Sequence, residues 1–338
     1  MIQRRLEAAF LLLATCCFTG GVTRSAIAER ALQDAAKAQA PPQRAFFDGE
    51  RSYEYLKAIC ALGNRMSGSV GMQKQQALME QHFTQLGASV NYQRFEANNP
   101  LSGKPVPMAN LMVTWHPETD RRLLLCAHYD TRPLPDRDRD PAARRHGIFL
   151  GANDGASGVA LLMELGNHVK KLPLDYGIDF VFFDAEELVY SDGRREIGPY
   201  FIGSTEFAQR YAKRPPAHEY TAGVLFDMVA DRRLNIHQER FSATWSNTRP
   251  LVKEIWATAA RLGIREFIPR AKYEVRDDHL PLNRIAGIPV CDVIDFEYSD
   301  SRRLNWHTTG DSPENCSAES LGKVGRVVVE WLVTRSRN

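Results

Sequence analysis

Adjacent carboxylates that follow a strongly apolar run constrain this chain most. Residues 179–183 read Asp-Phe-Val-Phe-Phe, which is typical of a buried strand, and Asp184, Glu186 and Glu187 come directly after it. Burying neighbouring carboxylates is unfavourable unless a cation or a proton holds them. Side chains alternate along an extended chain, so Glu186 and Glu187 are expected to point in different directions. A solvated loop would explain a lone Glu-Glu pair more simply, and other clusters decide between the two interpretations.

Further acidic and histidine residues lie at comparable positions, at the ends of predicted strands or in the turns near them. Each has an ordinary explanation when taken alone, because Asp often caps a helix and a histidine in a loop is usually a surface residue. Together they form a pattern that is hard to obtain by chance. The set comprises His128 with Asp130, Asp154, Asp227, the tripeptide Asp277-Asp278-His279, and His307.

This mixture of imidazole and carboxylate groups is typical of a zinc site. The chain has no paired cysteines at the spacing of a structural zinc site. The pattern therefore favours a catalytic metal centre over a structural one.

Predicted strands alternate with predicted helices, and no linker interrupts them. This indicates one α/β domain with a largely parallel sheet, in which ligands bind beyond the carboxyl ends of the strands. The unusual acids fall at those ends. The predicted strands are 89–95, 109–115, 122–126, 176–183, 222–226 and 288–294, and the predicted helices are 52–62, 71–86, 158–169, 204–211, 251–262 and a last one through 321–332.

The first 28 residues differ from the rest of the chain. A basic start, a short apolar stretch and the sequence Ala-Ile-Ala at 26–28 predict an export signal peptide. A lipoprotein signal anchored at Cys16 is the less favoured alternative. Residues 29–50 are expected to form an N-terminal arm and residues 51–338 the catalytic domain. No other segment approaches the length of about 20 apolar residues that a membrane helix needs.

Charge excludes one class of function. The leader contains three arginines and one glutamate, so its removal from a chain of formal net charge +2 leaves a net charge near zero. Nothing in this balance indicates nucleic-acid binding. The connection 131–149 is long enough to be functional, although the alternating charges within 137–145 indicate a solvated loop.

Four cysteines remain after removal of the leader. Export would permit disulfides between them, but two of them lie in apolar strand-like runs and suit the core equally well. The sequence leaves the pairing and the oligomeric state open. The four are Cys60, Cys126, Cys291 and Cys316.

The ordered series of motifs resembles the zinc-dependent aminopeptidase and glutaminyl cyclase superfamily from about residue 63 to the C-terminus. The motifs are His-Tyr-Asp at 128–130, Gly-Ala-Asn-Asp-Gly-Ala-Ser-Gly at 151–158, Phe-Asp-Ala-Glu-Glu at 183–187, Asp227, and Trp-His-Thr at 306–308. The resemblance implies a single three-layer α/β/α domain of the zinc-exopeptidase type, with a mixed, mainly parallel central sheet.

The superfamily has two branches that use these positions differently. In the dizinc aminopeptidases the resemblance implies five ligands and Glu186 as the general base; the ligands would be His128, Asp154, Glu187, Asp227 and His307. In the animal-type glutaminyl cyclases it implies one zinc ion, held by Asp154, Glu187 and His307. There Asp227 joins a hydrogen-bond network with the base and with Asp277.

Three features resemble the cyclases more closely. These are the Asp-Asp-His loop at 277–279, Trp306 directly before His307, and the run His-Tyr-Asp-Thr-Arg-Pro at 128–133, which is similar to bacterial cyclases. Two features depart from the animal pattern. Residues 188–192 lack a tryptophan, and Arg276 stands where a neutral amide is familiar.

The resemblance therefore favours a zinc-dependent glutaminyl-peptide cyclotransferase, an acyltransferase that acts on the N-terminal glutamine of a peptide or protein. Glu186, Asp277 and Asp227 would be its catalytic residues, and Trp306 and Arg276 would contact the substrate. The alternative enzyme is a dizinc aminopeptidase that hydrolyses N-terminal residues. A non-catalytic binding domain on the same scaffold is disfavoured, because every ligand position is retained.

Overall fold

A six-stranded sheet forms the centre of the protein. The computed structural model describes residues 47–191, 195–299 and 305–337. In sheet order the strands are β1, β2, β4, β3, β7 and β10, and β2 alone among them runs opposite to the other five. Their bounds are β1 Ser89–Asn98, β2 Pro105–Trp115, β3 Arg121–His128, β4 Gly177–Phe183, β7 Glu219–Asp227 and β10 Val290–Ile294.

Helices and short strands connect and cover this sheet. The helices are α1 Gly49–Cys60, α2 Val70–Gln85, α3 Pro141–His146, α4 Ala156–Val169, α5 Ile202–Lys213, α6 Arg240–Thr244, α7 Arg249–Arg261, α8 His279–Arg284 and α9 Ala318–Arg335. The short strands pair outside the main sheet and are β5 Tyr190–Ser191 with β6 Glu196–Ile197, and β8 Ile236–Gln238 with β9 Phe267–Ala271.

Alternation along the strands divides the core into two layers. On β3, Leu123 and Leu125 pack into the larger apolar cluster, which includes residues of α1, α2, α4, α7 and α9. Leu124 and Cys126 face the opposite side and pack with residues of α5 and α8. Because a strand points successive side chains to opposite faces, one continuous apolar run fills both layers. The predicted three-layer α/β/α fold is confirmed.

Most predicted elements are present with small changes at their ends. The first helix begins at Gly49, inside the stretch assigned to the N-terminal arm, because Asp48 caps it by accepting a hydrogen bond from the Arg51 amide. The long connection 131–149 contains the short helix α3. The signal peptide, Cys16 and nearly all of the arm lie outside the described residues.

Two further expectations can be compared with the structure. The cysteines at 60, 126, 291 and 316 are all buried free thiols. Among the described residues, no helix combines the length and apolar character needed to cross a bilayer.

Candidate metal and catalytic site

Asp154, Glu187 and His307 converge at the carboxyl end of the parallel strands. The Nε2 atom of His307 lies 2.7 Å from Oε1 of Glu187 and 3.4 Å from Oδ2 of Asp154. All three side chains are buried, and their candidate ligand atoms lie within 4.8 Å of one another. The turn before α4, the segment after β4 and the loop before α9 each supply one residue.

The unpaired polar atoms of this group fit a divalent cation. Asp154 Oδ2, Glu187 Oε2 and both ring nitrogens of His307 are buried without a hydrogen-bond partner. Burial raises the pKa of Glu187, whereas nearby Arg132 opposes the rise. Two carboxylates and one imidazole with free lone pairs are the ligand types that zinc takes in catalytic sites, and three protein ligands leave a coordination position open. The residues therefore fit zinc.

His128 connects this group to a second one. Its Nε2 atom lies 3.2 Å from Oδ1 of Asp154 and 3.3 Å from Oδ1 of Asp227. The two oxygens of Asp154 thus face different histidines, which is the arrangement that would let Asp154 bridge two cations. Burial lowers the pKa of His128, but hydrogen bonds with Asp130, Asp154 and Asp227 outweigh burial and raise it well above its usual value. A protonated His128 or a second metal ion would each balance these acids.

The turn that carries Asp154 depends on glycine. Gly155 has a φ of +91°, and a Cβ atom at this position would lie 2.9 Å from Cε1 of His128. A larger residue would therefore both strain the backbone and displace the histidine.

The carboxylate of Asp311 holds the same turn from the far side of the sequence. It accepts hydrogen bonds from the amides of Asn153 and Asp154, at 2.8 and 3.1 Å, and from the hydroxyl of Tyr298.

Asp130 fixes the two adjacent glutamates. Its oxygens accept hydrogen bonds from the amides of Glu186 and Glu187, at 3.0 and 3.1 Å. Ala185 just before them has a φ of +56°, so the strand end turns sharply here. Glu187 faces His307, while Glu186 lies among the remaining acids. The two side chains have different surroundings, as their adjacent positions after a strand led us to expect.

Glu186 and Asp277 belong to one buried acidic cluster. Burial and the charge of Glu187 raise the pKa of Glu186 well above its usual value. Burial and the charges of Asp227 and Asp278 do the same for Asp277. A coupled group of acids with raised pKa is suited to exchange protons with a substrate.

The Asp-Asp-His loop continues into a deeper buried group. Asp278 accepts a hydrogen bond from the hydroxyl of Ser204, and burial raises its pKa to about 7. His279 begins α8, fully buried, with Nε2 3.5 Å from Oε2 of Glu239 and Nδ1 3.8 Å from Oδ2 of Asp292. Nothing in the local sequence around 239 or 292 indicated that these acids lie behind the site.

The two residues expected to contact substrate have different environments. Trp306 is partly buried, with its ring centre 4.0 Å from that of His307 and 5.3 Å from that of Phe296. Arg276 is exposed. Trp306 thus lies beside a candidate metal ligand, whereas Arg276 lies on the surface next to Asp277.

Arg132, for which the sequence indicated no individual role, is fully buried in the site. Its Nη1 atom donates to Oε1 of Glu187 at 3.0 Å, and its Nε and Nη2 atoms donate to Oδ2 of Asp136 at 3.1 and 3.0 Å. Although burial lowers the pKa of Arg132, Glu187 and Asp136 outweigh it and raise that pKa. The only signal was its place in the run that begins at His128.

The charged run is exposed or partly exposed, as predicted for a solvated loop, but its first part also contacts a distant segment. Arg137 lies with Cζ 3.9 Å from the ring centre of Trp306, and Asp138 accepts hydrogen bonds from Thr309. Arg139, Asp140 and Arg145 are exposed as expected. Alternating charges cannot distinguish a solvated loop from one that binds a distant polar segment.

Comparison with known proteins identifies the family. The model of Peptidase family M28 matches residues 110–332. The crystal structure of Fimbriiglobus ruber glutaminyl cyclase superimposes with a TM-score of 0.79 at 37% identity, covering 85% of this chain and 95% of that one. A leucine aminopeptidase precursor from Bacteroides thetaiotaomicron gives a TM-score of 0.77 at 28% identity, covering 87% and 99%.

A curated relative agrees with this assignment. The glutaminyl-peptide cyclotransferase of Bothrops jararaca is 25% identical over 281 residues, which cover 73% of this chain and 72% of the relative. The resemblance inferred from the motifs is therefore confirmed: the chain belongs to Peptidase family M28 and is similar to both the glutaminyl cyclases and the zinc exopeptidases of this fold.

Proposed function

We propose that the protein is a zinc-dependent glutaminyl-peptide cyclotransferase that converts the N-terminal glutamine of peptides or proteins to pyroglutamate and releases ammonia. The observation that carries the proposal is that buried Glu186 adjoins Glu187 of the three-residue metal set and interacts electrostatically with buried Asp277 and Asp278. The similarity to solved glutaminyl cyclases supports it.

Asp154, Glu187 and His307 would hold the zinc ion. When bound, zinc supplies a Lewis acid that polarises the side-chain carbonyl of the glutamine. Arg132 and Asp130 keep Glu187 in position, through its carboxylate and its backbone amide respectively. These outer contacts fix the ligand before substrate arrives.

Ring closure needs one proton transfer at each end of the reaction. The substrate's α-amine attacks the side-chain carbonyl carbon, a new C–N bond forms, and the bond to the side-chain nitrogen breaks. Glu186 would take a proton from the amine and return it to the departing ammonia. Its raised pKa, caused by burial and by Glu187, suits a group that both accepts and donates. No water molecule is consumed.

Asp277 and Asp227 would share protons with Glu186. Burial and the charge of Asp227 raise the pKa of Asp277, which favours the protonated form of this acid near the base. Trp306 would cover the substrate side chain, and Arg276 would contact the peptide beyond it. The α-amine and the carbonyl belong to one residue, and holding them in ring-closing geometry lowers the entropic part of the barrier.

The experiment uses two peptides and one variant. The purified protein should release ammonia from a glutamine-initiated peptide and no free amino acid from a leucine-initiated one. Glu186→Gln should lower turnover by about 10²- to 10⁴-fold while zinc content stays unchanged. Glu274→Gln, at an exposed position outside the cluster, is the matched control. Unchanged turnover in Glu186→Gln would refute its role as the base.

A dizinc aminopeptidase is the second candidate. His128, Asp154 and Asp227 form an additional buried group whose ligand atoms lie within 4.8 Å of one another, and this group favours it. In that enzyme a water molecule would be the nucleophile and Glu186 its base. Release of free leucine from the second peptide, together with two zinc ions per chain by elemental analysis, would show that the protein is an aminopeptidase and not a cyclase.

We also propose that the protein is exported to the periplasm or secreted. Residues 1–28 carry the expected basic start, apolar stretch and small-residue cleavage pattern. Mass spectrometry of the mature N-terminus tests this. A chain that begins at Glu29 supports cleavage, whereas a lipid-modified Cys16 would mean membrane anchoring instead.

A further inference from the structure

Consecutive residues of the charged connection contact the segment that carries His307. The amide of Arg137 donates to the His307 carbonyl at 3.0 Å. The Oδ2 atom of Asp138 accepts hydrogen bonds from both the amide of Thr309, at 3.0 Å, and its hydroxyl. The two segments are far apart in sequence, so these bonds are tertiary contacts and do not belong to a local turn.

His307 needs this kind of support because its backbone is strained. Its φ is +58°, a left-handed conformation that residues with a side chain rarely adopt. Such a conformation persists only where the surroundings enforce it. The bond from Arg137 holds the carbonyl of this residue, and Asp138 holds Thr309 two residues later. The charged connection thus fixes the backbone on which the imidazole stands.

Side chains of the same segment also pack around the imidazole. Arg137 lies with Cζ 3.9 Å from the ring centre of Trp306, which in turn lies 4.0 Å from His307. On the other side of the segment, Oδ1 of Asp136 lies 4.0 Å from Nδ1 of His307, and its Oδ2 accepts from Arg132. The position and the direction of the ring therefore both depend on this connection.

We propose that Asp136, Arg137 and Asp138 form a clasp that positions His307 and Trp306 for zinc and substrate, although the clasp supplies no ligand itself. The inference rests on the proposed function, since it assumes that His307 binds the metal. All three are positioning residues: the Arg137 amide holds the His307 carbonyl, and the Arg137 side chain lies on Trp306. Asp138 holds Thr309, and Asp136 lies beside Nδ1 of His307.

The backbone part of the clasp is tested by zinc affinity. Asp138→Ala removes the acceptor for Thr309 and should weaken zinc binding by about 10- to 100-fold, the range typical for residues that orient a ligand. Asp138→Asn keeps an acceptor oxygen and should restore most of the affinity. Competition with a chromophoric chelator measures both without a substrate. Arg139→Ala, an exposed residue of the same connection, is the control and should bind zinc like the wild type.

The Trp306 part of the clasp is tested by kinetics. Arg137→Ala removes the group stacked on Trp306 and should raise KM for the glutamine-initiated peptide by several-fold, with a smaller change in kcat. Excess zinc should restore kcat in Asp138→Ala but should leave KM of Arg137→Ala raised. A purely structural role would lower the amount of folded protein and would produce neither split.

Two outcomes separate the failure of the clasp from failure of the proposed function. Zinc affinity of Asp138→Ala within twofold of the wild type, or equal loss in Asp138→Asn and Asp138→Ala, would overturn the clasp. A wild-type protein that binds zinc but forms no pyroglutamate would overturn the proposed function and leave the affinity comparison valid. Arg137 is exposed and Asp138 is partly exposed, so the far-UV circular dichroism of the variants at these two positions should match that of the wild type.

Discussion

The two ends of the central sheet bury charges in opposite ways. At the amino end of the parallel strands, Arg122 donates to both oxygens of Asp179, at 2.8 and 2.9 Å, and Tyr220 donates to Asp179 at 2.7 Å. The other guanidinium hydrogens reach four backbone carbonyls. Every strong donor of this buried group thus has an acceptor.

At the carboxyl end the acids outnumber the cations. Asp154, Glu187 and Asp277 each keep a buried oxygen without a hydrogen-bond partner, and His307 keeps both ring nitrogens free of one. Folding alone gains nothing from such an arrangement, because an unpaired buried polar group is unfavourable. The amino end therefore stabilises the fold, whereas the carboxyl end presents unpaired ligand atoms that a bound cation would satisfy.

Replacing the buried arginine at the amino end of the sheet should change the free energy of unfolding most. Arg122→Met leaves Asp179 buried without its partner and should lower the free energy of unfolding by about 3–5 kcal/mol. Urea unfolding in the presence of a chelator measures it. Arg121→Met, at the exposed neighbour, should change stability by less than about 0.5 kcal/mol. Equal effects of the two variants would mean that the buried pair contributes no more than a surface one.

The second prediction concerns the stabilisation that zinc should give when it binds at the carboxyl end. Zinc at about 100 times its dissociation constant should stabilise the wild-type protein by about 2.7 kcal/mol, because only the folded state assembles the three ligands. The measurement is the free energy of unfolding with and without zinc. Glu187→Gln should abolish the increment, whereas Arg121→Met should keep it. An increment that survives in Glu187→Gln would mean that zinc stabilises the fold elsewhere.

The third prediction concerns pH in the metal-free protein. Burial raises the pKa of Asp278 to about 7, and burial together with Asp130 does the same for Asp184. Since the folded-state pKa of each exceeds its unfolded value, their contribution to stability is complete below about pH 4 and is lost as pH rises through about 7. The metal-free protein should therefore be more stable at pH 5 than at pH 8.

Urea unfolding at the two pH values, with chelator present, gives the test. Asp278→Asn should reduce the difference, because the amide does not titrate. Arg121→Met should leave it unchanged, since this residue lies at the opposite end of the sheet. A metal-free protein that is more stable at pH 8 would show that histidines whose pKa is lowered by burial, such as His307 and His82, dominate instead, because folding disfavours their protonated forms at pH 5.

The comparison also separates what the sequence could predict from what it could not. The runs at 123–126 and 180–183 are apolar and are followed by His128 with Asp130 and by Asp184 with Glu186, so the parallel strands and the polar residues at their ends were predictable. Alternation along β3 and β4 then fixes a layer on each face. Ligand candidates such as Asp154 and His307 each have an ordinary explanation alone, and it was the joint pattern and the family resemblance that singled them out.

Contacts between distant segments could not be predicted in the same way. Arg132 is buried against Glu187, and Arg137, from the run whose alternating charges are typical of a solvated loop, stacks on Trp306. Asp311 reaches the amides of Asn153 and Asp154 across the fold. These pairings depend on where the completed sheet brings the loops, which no local pattern encodes.

Replacing one aspartate by asparagine should raise stability at the carboxyl end of the sheet and lower it at the amino end. Asp277→Asn removes a buried charge that burial and Asp227 disfavour, so the metal-free protein should gain on the order of 1 kcal/mol of stability at pH 7.5. Asp179→Asn at the amino end, which leaves Arg122 partly unpaired, should lose stability instead.

Activity should also distinguish these two variants. Asp277→Asn should be more stable yet turn over a glutamine-initiated peptide more slowly, because an amide cannot exchange a proton with Glu186. Asp179→Asn should keep its turnover per folded molecule. If both variants were destabilised to the same extent, the unpaired oxygen of Asp277 would have a partner that the fold supplies, and the two ends of the sheet would follow the same rule.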